Sequence, residues 1–193
     1  MKKYLVMVFV SLSVLVFSGC FALRSAEGLN EGELNVNYIA PLAGSVRYGV
    51  TDNVETRFTI AGESNNYDLF IHTSADSSHV NYGLTLGTST VLERKPFYYA
   101  GLTFGKKFNS YFSPYVSVTG MYDTERKKLR MSESYLSIGS ETRITIFGTG
   151  ISFLITPEIS FAPSPRESDV YSGWIFAAMN IGVIFDVYSF FKK

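Results

Sequence analysis

From residue 33 to the C-terminus, apolar and polar residues alternate one by one, segment after segment, and no helical stripe of convincing length interrupts them. A period of two puts successive side chains on opposite sides of an extended chain, so each segment reads as a strand with two chemically different faces. Ten such segments can be marked, at 33–40, 43–50, 54–62, 68–74, 79–92, 97–108, 111–123, 133–145, 150–161 and 173–190. Turn-forming clusters stand between them: Thr51-Asp52-Asn53, Ser64-Asn65-Asn66, Ala75-Asp76-Ser77, Asn109-Ser110 and Gly148-Thr149-Gly150. The alternation predicts an all-β fold.

Sorting the segments by face separates two kinds of surface. In the last segment Ile175, Ala177, Met179, Ile181, Val183, Phe185 and Val187 oppose Asn180, Gly182 and Asp186. Segment 97–108 sets Tyr98, Ala100, Leu102 and Phe104 against Gly101, Thr103, Gly105 and Lys107. Segment 79–92 sets Val80, Tyr82, Leu84 and Leu86 against Asn81, Gly83, Thr85 and Gly87. Val46, Tyr48, Val54, Phe58 and Ile60 similarly oppose Arg47, Glu55 and Arg57. Segments of a dozen residues exceed the usual globular strand of about 5–6 and match the roughly 9–11 that a membrane crossing needs. In hydrocarbon an open sheet edge would leave backbone groups unsatisfied, so the sheet must close. The expected fold is an antiparallel transmembrane up-and-down β-barrel of eight to ten strands, ten favoured, with eight if the first pair serves as a plug or tether.

The polar face carries both signs of charge. Arg47, Arg57, Lys107 and Arg143 stand against Glu55, Glu133, Glu141, Glu158 and Asp186, and in a barrel they are expected to line and pair across the lumen. Barrels of this size are filled by their own side chains, so a structural network is the stronger reading of these groups than a selectivity filter.

The N-terminus reads as an address. Met1-Lys2-Lys3 is basic, residues 4–17 are almost wholly apolar, and Phe17-Ser18-Gly19-Cys20 follows. The apolar run is short for a membrane-spanning helix and fits a cleaved signal helix. The tetrapeptide resembles the lipobox of bacterial lipoproteins, although Phe17 replaces that family's usual Leu, Val or Ile. The resemblance covers only the first 20 residues. It implies cleavage before Cys20, covalent acyl chains on Cys20, and an outer-membrane destination. It also implies dealings with the lipoprotein-sorting and barrel-assembly machineries and with outer-membrane lipid. The expected organisation is a signal peptide at 1–19, a lipidated Cys20 with a flexible tether to residue 32, and a barrel at 33–193. Near the other end, residues 180–187 (Asn-Ile-Gly-Val-Ile-Phe-Asp-Val) resemble the terminal signal of outer-membrane barrels, with Tyr188, Phe190 and Phe191 suited to an interfacial girdle. Both termini are then expected in the periplasm.

Composition narrows the function classes. Seventeen basic and 17 acidic residues cancel, which leaves no case for nucleic-acid binding. One cysteine excludes an intramolecular disulfide. No Gly-rich phosphate loop or CxxC pair occurs, and no cofactor is expected. His72 and His79, the only histidines, would face each other if Ala75-Asp76 were a two-residue turn, making a weak candidate metal pair. His72-Thr73-Ser74 also invites comparison with lipid A deacylases, small barrels with His and Ser two apart on one strand. The expected topology puts His72 at the periplasmic rim, the wrong end for an outer-leaflet substrate. Outer-membrane proteases need acidic and histidine groups at the outer rim, where this chain has no histidine. The sequence therefore favours a monomeric, non-enzymatic barrel lipoprotein with a structural or surface-interaction role. The alternatives are a narrow porin-like channel or transporter for small or apolar solutes, and a lipid-anchored periplasmic lipocalin-like binding protein.

Overall fold

A computed structural model describes residues 27–40, 43–62, 64–73, 79–91, 96–109, 111–125, 127–129, 134–163 and 173–191. The signal segment, Cys20 and Glu133 lie outside these residues. The chain forms β1 (Glu33–Ala40), β2 (Ala43–Thr51), β3 (Val54–Ala61), β4 (Ser64–His72), β5 (Asn81–Val91) and β6 (Phe97–Gly105). It continues with β7 (Ser113–Asp123), the two-residue β8 (Lys128–Leu129), β9 (Tyr135–Ile146), β10 (Ile151–Pro163), β11 (Gly173–Asp186) and a one-turn helix α1 (Val187–Phe191).

Each wall strand pairs antiparallel with its neighbours in the order β6-β5-β4-β3-β2-β1-β11-β10-β9-β7, and the β6–β7 pairing closes the ring. β8 only extends the top of β7. Ten strands therefore make a closed barrel, with β1 and β2 in the wall rather than serving as a plug. Every connection is a hairpin except the seam, where β1 runs along β11 from Glu33↔Asp186 to Ala40↔Met179. The even strand count brings both ends of the barrel domain to one mouth, here called the lower.

The outward face is apolar, as in a barrel that meets lipid. Val36, Val46, Ile60, Leu86, Leu102, Val118, Ile138, Ile155 and Ile181 are all exposed. Tyrosines gather towards both ends of this band, with Tyr38, Tyr67, Tyr98 and Tyr122 in its upper part and Tyr48 and Tyr82 in its lower. Tyr82 meets Phe104 edge-on at 5.7 Å. The inward face is mostly polar or small, with Phe70, Leu154 and Ile184 among its buried apolar residues, and it is tightly filled. Large inner side chains lie over inner glycines of the next strand: Tyr99 over Gly87, Tyr115 over Gly139 and Phe70 over Gly83. A β-carbon at any of these glycines would collide with the ring.

Beyond shifts of a few residues at strand ends, three differences from the sequence reading bear on the site. Ser64-Asn65-Asn66 is not a turn: it starts β4, and Gly62, at φ 59°, turns the chain instead. The last strand stops at Asp186 because Asp186 caps a helix. Its carboxylate accepts the Ser189 amide at 3.2 Å, and this side-chain cap at N3 fixes the start of α1. Residues 27–32, expected as free tether, are packed into the lower mouth.

A closed barrel of this kind should run on detergent gels at a different mobility unheated than boiled; identical mobilities would count against closure. Gly87→Val should remove the folded band or lower its melting midpoint, since the Tyr99 ring has nowhere to go. An overpacking cost of about 1–3 kcal/mol is expected.

Candidate functional site

The chemistry-bearing side chains collect in the lumen, and their arrangement follows from register. Arg47 on β2 stands directly opposite Arg57 on β3, and Arg57 directly opposite Asp68 on β4. Two like charges opposite each other destabilise a sheet unless a counter-charge intervenes. Glu55, two residues from Arg57 on the same face, supplies it. Arg47 donates in a fork, Nε to Oε1 at 3.1 Å and Nη2 to Oε2 at 2.9 Å. Arg57 Nε adds a third bond to Oε1 at 2.5 Å, and the Leu29 amide a fourth to Oε2 at 2.9 Å. Glu55 is thus saturated, and 0 % exposed.

The network runs on through Arg57, whose guanidinium lies 4.2 Å from the centre of the Phe70 ring and 3.7 Å from Asp68 Oδ1. Tyr99 on β6 donates to Asp68 Oδ2 at 2.8 Å. Side chains of β2, β3, β4 and β6 are therefore tied into one cluster that crosses the lumen. Glu141 on β9 is buried and couples electrostatically to Arg47 from the facing wall.

Four smaller groups flank it. Glu158 accepts from Tyr115 Oη at 2.7 Å and Ser160 Oγ at 2.9 Å, and Ser160 meets Ser137 at 2.6 Å. Asn37 bonds to Asn35 and to Ser45. Lower down, Arg143 Nη2 pairs with Glu33 at 2.5 Å. At the mouth Lys107 pairs with Glu27 at 2.9 Å.

Of the nine charges expected in the lumen, Arg47, Glu55, Arg57, Glu141, Arg143 and Glu158 point inward among the strands. Lys107 lies past the end of β6, at the lower rim, and Asp186 serves as the helix cap described above. Sequence reasoning missed the partners Glu27, Glu33, Asp68, Tyr99 and Tyr115. Parity would have found Asp68 and Tyr99, since Asp68 alternates with the outward Tyr67 and Ile71 and Tyr99 sits between the outward Tyr98 and Ala100. Nothing local marks Glu27.

The register does not set the two histidines opposite each other. His72 is opposite Gly83 in register, while His79 is exposed beyond the start of β5. A two-residue turn at 75–76 would have put them face to face; the observed β4–β5 register places His72 opposite Gly83 instead. His72 stacks on Phe70 at 5.2 Å, and its Nδ1 lies 3.1 Å from the Thr73 carbonyl oxygen. Among the described residues no three His, Cys, Asp or Glu groups are placed to hold a metal ion. Ser74 lies outside the described residues.

Glu55→Gln should be the most damaging conservative substitution in the lumen. It removes the charge that the two buried guanidiniums share, leaving Asp68 beside Arg57 and the more distant Glu141 for Arg47, at a cost of about 3–5 kcal/mol. Replacing Arg47 and Glu55 together by Met and Leu should cost much less. Urea unfolding in detergent measures both, and equal losses would refute the pairing argument.

No family model and no curated protein matches this sequence. Among solved structures, a chain from "De novo design of transmembrane beta-barrels" is 12% identical, covers 82% of this chain and 98% of its own, and superposes with a TM-score of 0.34. LpxR from Salmonella typhimurium is 10% identical, covers 84% of this chain and 77% of its own, with a TM-score of 0.36. Likenesses this distant carry no argument about activity; the closed barrel stands on its own strand pairing.

Proposed function

We propose that the protein is a lipid-anchored, sealed β-barrel of the bacterial outer membrane, with a structural or surface-interaction role and neither transport nor catalysis. One observation carries this reading. Asn35, Arg47, Glu55, Asn66, Ser89, Ser137 and Leu154, inward side chains of seven different strands, are each 1 % exposed or less. A water-filled pore would wet such side chains. A lumen packed this way admits neither solute nor substrate, so its charges act on one another and not on a ligand.

The apolar outer face supports a membrane location, and a lipocalin-like soluble carrier requires the opposite arrangement, with an apolar interior and a polar exterior. The anchor reading rests on the lipobox-like Phe17-Ser18-Gly19-Cys20, and the bundling of both barrel ends at the lower mouth suits an anchor on the periplasmic side. Acylated Cys20 would then hold the barrel at the inner leaflet.

Two measurements test the proposal. Labelled palmitate should enter the wild type in the outer-membrane fraction and be absent from Cys20→Ala; equal labelling would remove the anchor. The folded protein should leave a planar bilayer electrically tight at modest voltage. Steady unitary conductance would replace the sealed barrel with a narrow channel.

A further inference from the structure

Residues 27–32 form a strap across the lower mouth, and its two halves are held differently. The second half is knitted into the wall. The Gly32 amide donates to the Gly49 carbonyl at 2.9 Å, the Gly32 carbonyl accepts from Val187 at 3.0 Å, and the Asn30 carbonyl lies where a Gly49 side chain would be. The Glu31 amide donates to Asp52 Oδ1 at 3.1 Å, and Tyr188 Oη donates to the Glu31 carboxylate at 3.3 Å.

The first half reaches across the opening to the far wall. Leu29 is buried against Leu154 and Ile184, and its amide completes the Glu55 coordination. Gly28 passes beneath the His72 ring so closely that a β-carbon would strike it. The reach ends at Glu27, whose carboxylate takes Lys107 Nζ at 2.9 Å and the Ser113 hydroxyl. Glu55 and Leu29 are sealed from water, whereas in the outer pair the Lys107 side chain keeps 28 % of its exposure and Glu27 9 %. The outermost fastening is therefore the one that solvent ions can reach.

We propose that residues 27–29 are a salt-sensitive latch on the lower mouth, hinged at 30–32 and fastened by the Glu27–Lys107 pair. Closed, it covers the Glu55 carboxylate, the His72 imidazole and the Leu154–Ile184 pair. Released, it exposes these groups to the compartment below while the ten-stranded wall stays intact. The latch holds whether or not Cys20 is acylated, so its failure and that of the anchor are read in separate experiments.

The test is thiol accessibility in the full-length protein carrying Leu29→Cys, with the unsubstituted chain as the background for Cys20. A water-soluble maleimide should react slowly at low ionic strength. Lys107→Gln should raise the rate about fivefold, in line with one partly exposed ion pair. About 0.5 M salt should do the same to the Leu29→Cys protein and almost nothing to the Lys107→Gln form, because the screened pair is already gone. The heat-modifiable band should persist throughout. Labelling as fast as at Thr149→Cys in the open lower turn would show that no latch forms. Rates indifferent to both salt and Lys107→Gln would show that the pair does not fasten it. If Leu29→Cys does not fold, hydrogen exchange of the native Leu29 amide decides, with the same rise expected in Lys107→Gln and no rise overturning the proposal.

Discussion

Two arginines face each other across β2 and β3, and one fully buried glutamate holds them together. That contact sets the rest of the barrel. Side chains alternate faces strictly, so a slip of one residue in either strand would turn a guanidinium outward into the apolar band. An arginine at the bilayer midplane costs about 2–4 kcal/mol on a barrel surface. A slip of β3 would also separate Arg57 from Asp68. The charges thus specify the register on one side of the barrel, and the outward Val, Leu, Ile and Tyr have only to follow.

The opposite wall shows why this cluster can be enclosed at all. β7 and β9 contribute small inward residues such as Ser117, Ser137 and Gly139, and β5, beside β4, adds Thr85, Ser89, Gly83 and Gly87. Long side chains from β2 to β4 project towards this small-residue wall, and Tyr99 and Tyr115 fill the space above two of its glycines. Large beside small on neighbouring strands lets ten strands, a ring wider than the eight that side chains readily fill, close without a channel. The strap completes the filling from below by adding Leu29 and an amide donor at the one place where the wall has run out.

The period-two pattern made much of the fold legible beforehand. Parity assigned Arg47, Glu55, Arg57, Glu141 and Glu158 to the inner face, because facing is a local property of an extended chain. What it could not assign were the ends. Asp186 keeps inward parity yet leaves the network, since Ser189 three residues on makes it a helix cap, a competition that alternation does not register. Ser64-Asn65-Asn66 has turn composition but the ladder to β3 and β5 overrides it, and a positive φ falls at Gly62 instead. His72 and His79 depended on a register across an undetermined turn, where an error of a few residues moves a partner by 10 Å or more. The strap was least legible: Glu27 and Leu29 sit in a stretch of Gly, Asn and Glu with the composition of a linker, and only tertiary partners give it a structure.

The charged interior also bears on how such a chain reaches its membrane. If both faces of each strand were apolar, the lumen would fill as well, and the expensive burial of paired ions would be avoided. But residues 33–193 would then contain long unbroken apolar runs of the kind that lodge in the first bilayer as helices. Alternation interrupts every such run, and it leaves the closed ring with only one face that suits lipid. Read this way, Arg47, Glu55 and Arg57 are less a source of net stability than a mark of which side is in. The network then has to be satisfied internally, and the Leu29 amide on Glu55 shows how far the chain goes to satisfy it: the segment before the first strand folds back under the barrel to supply the last donor.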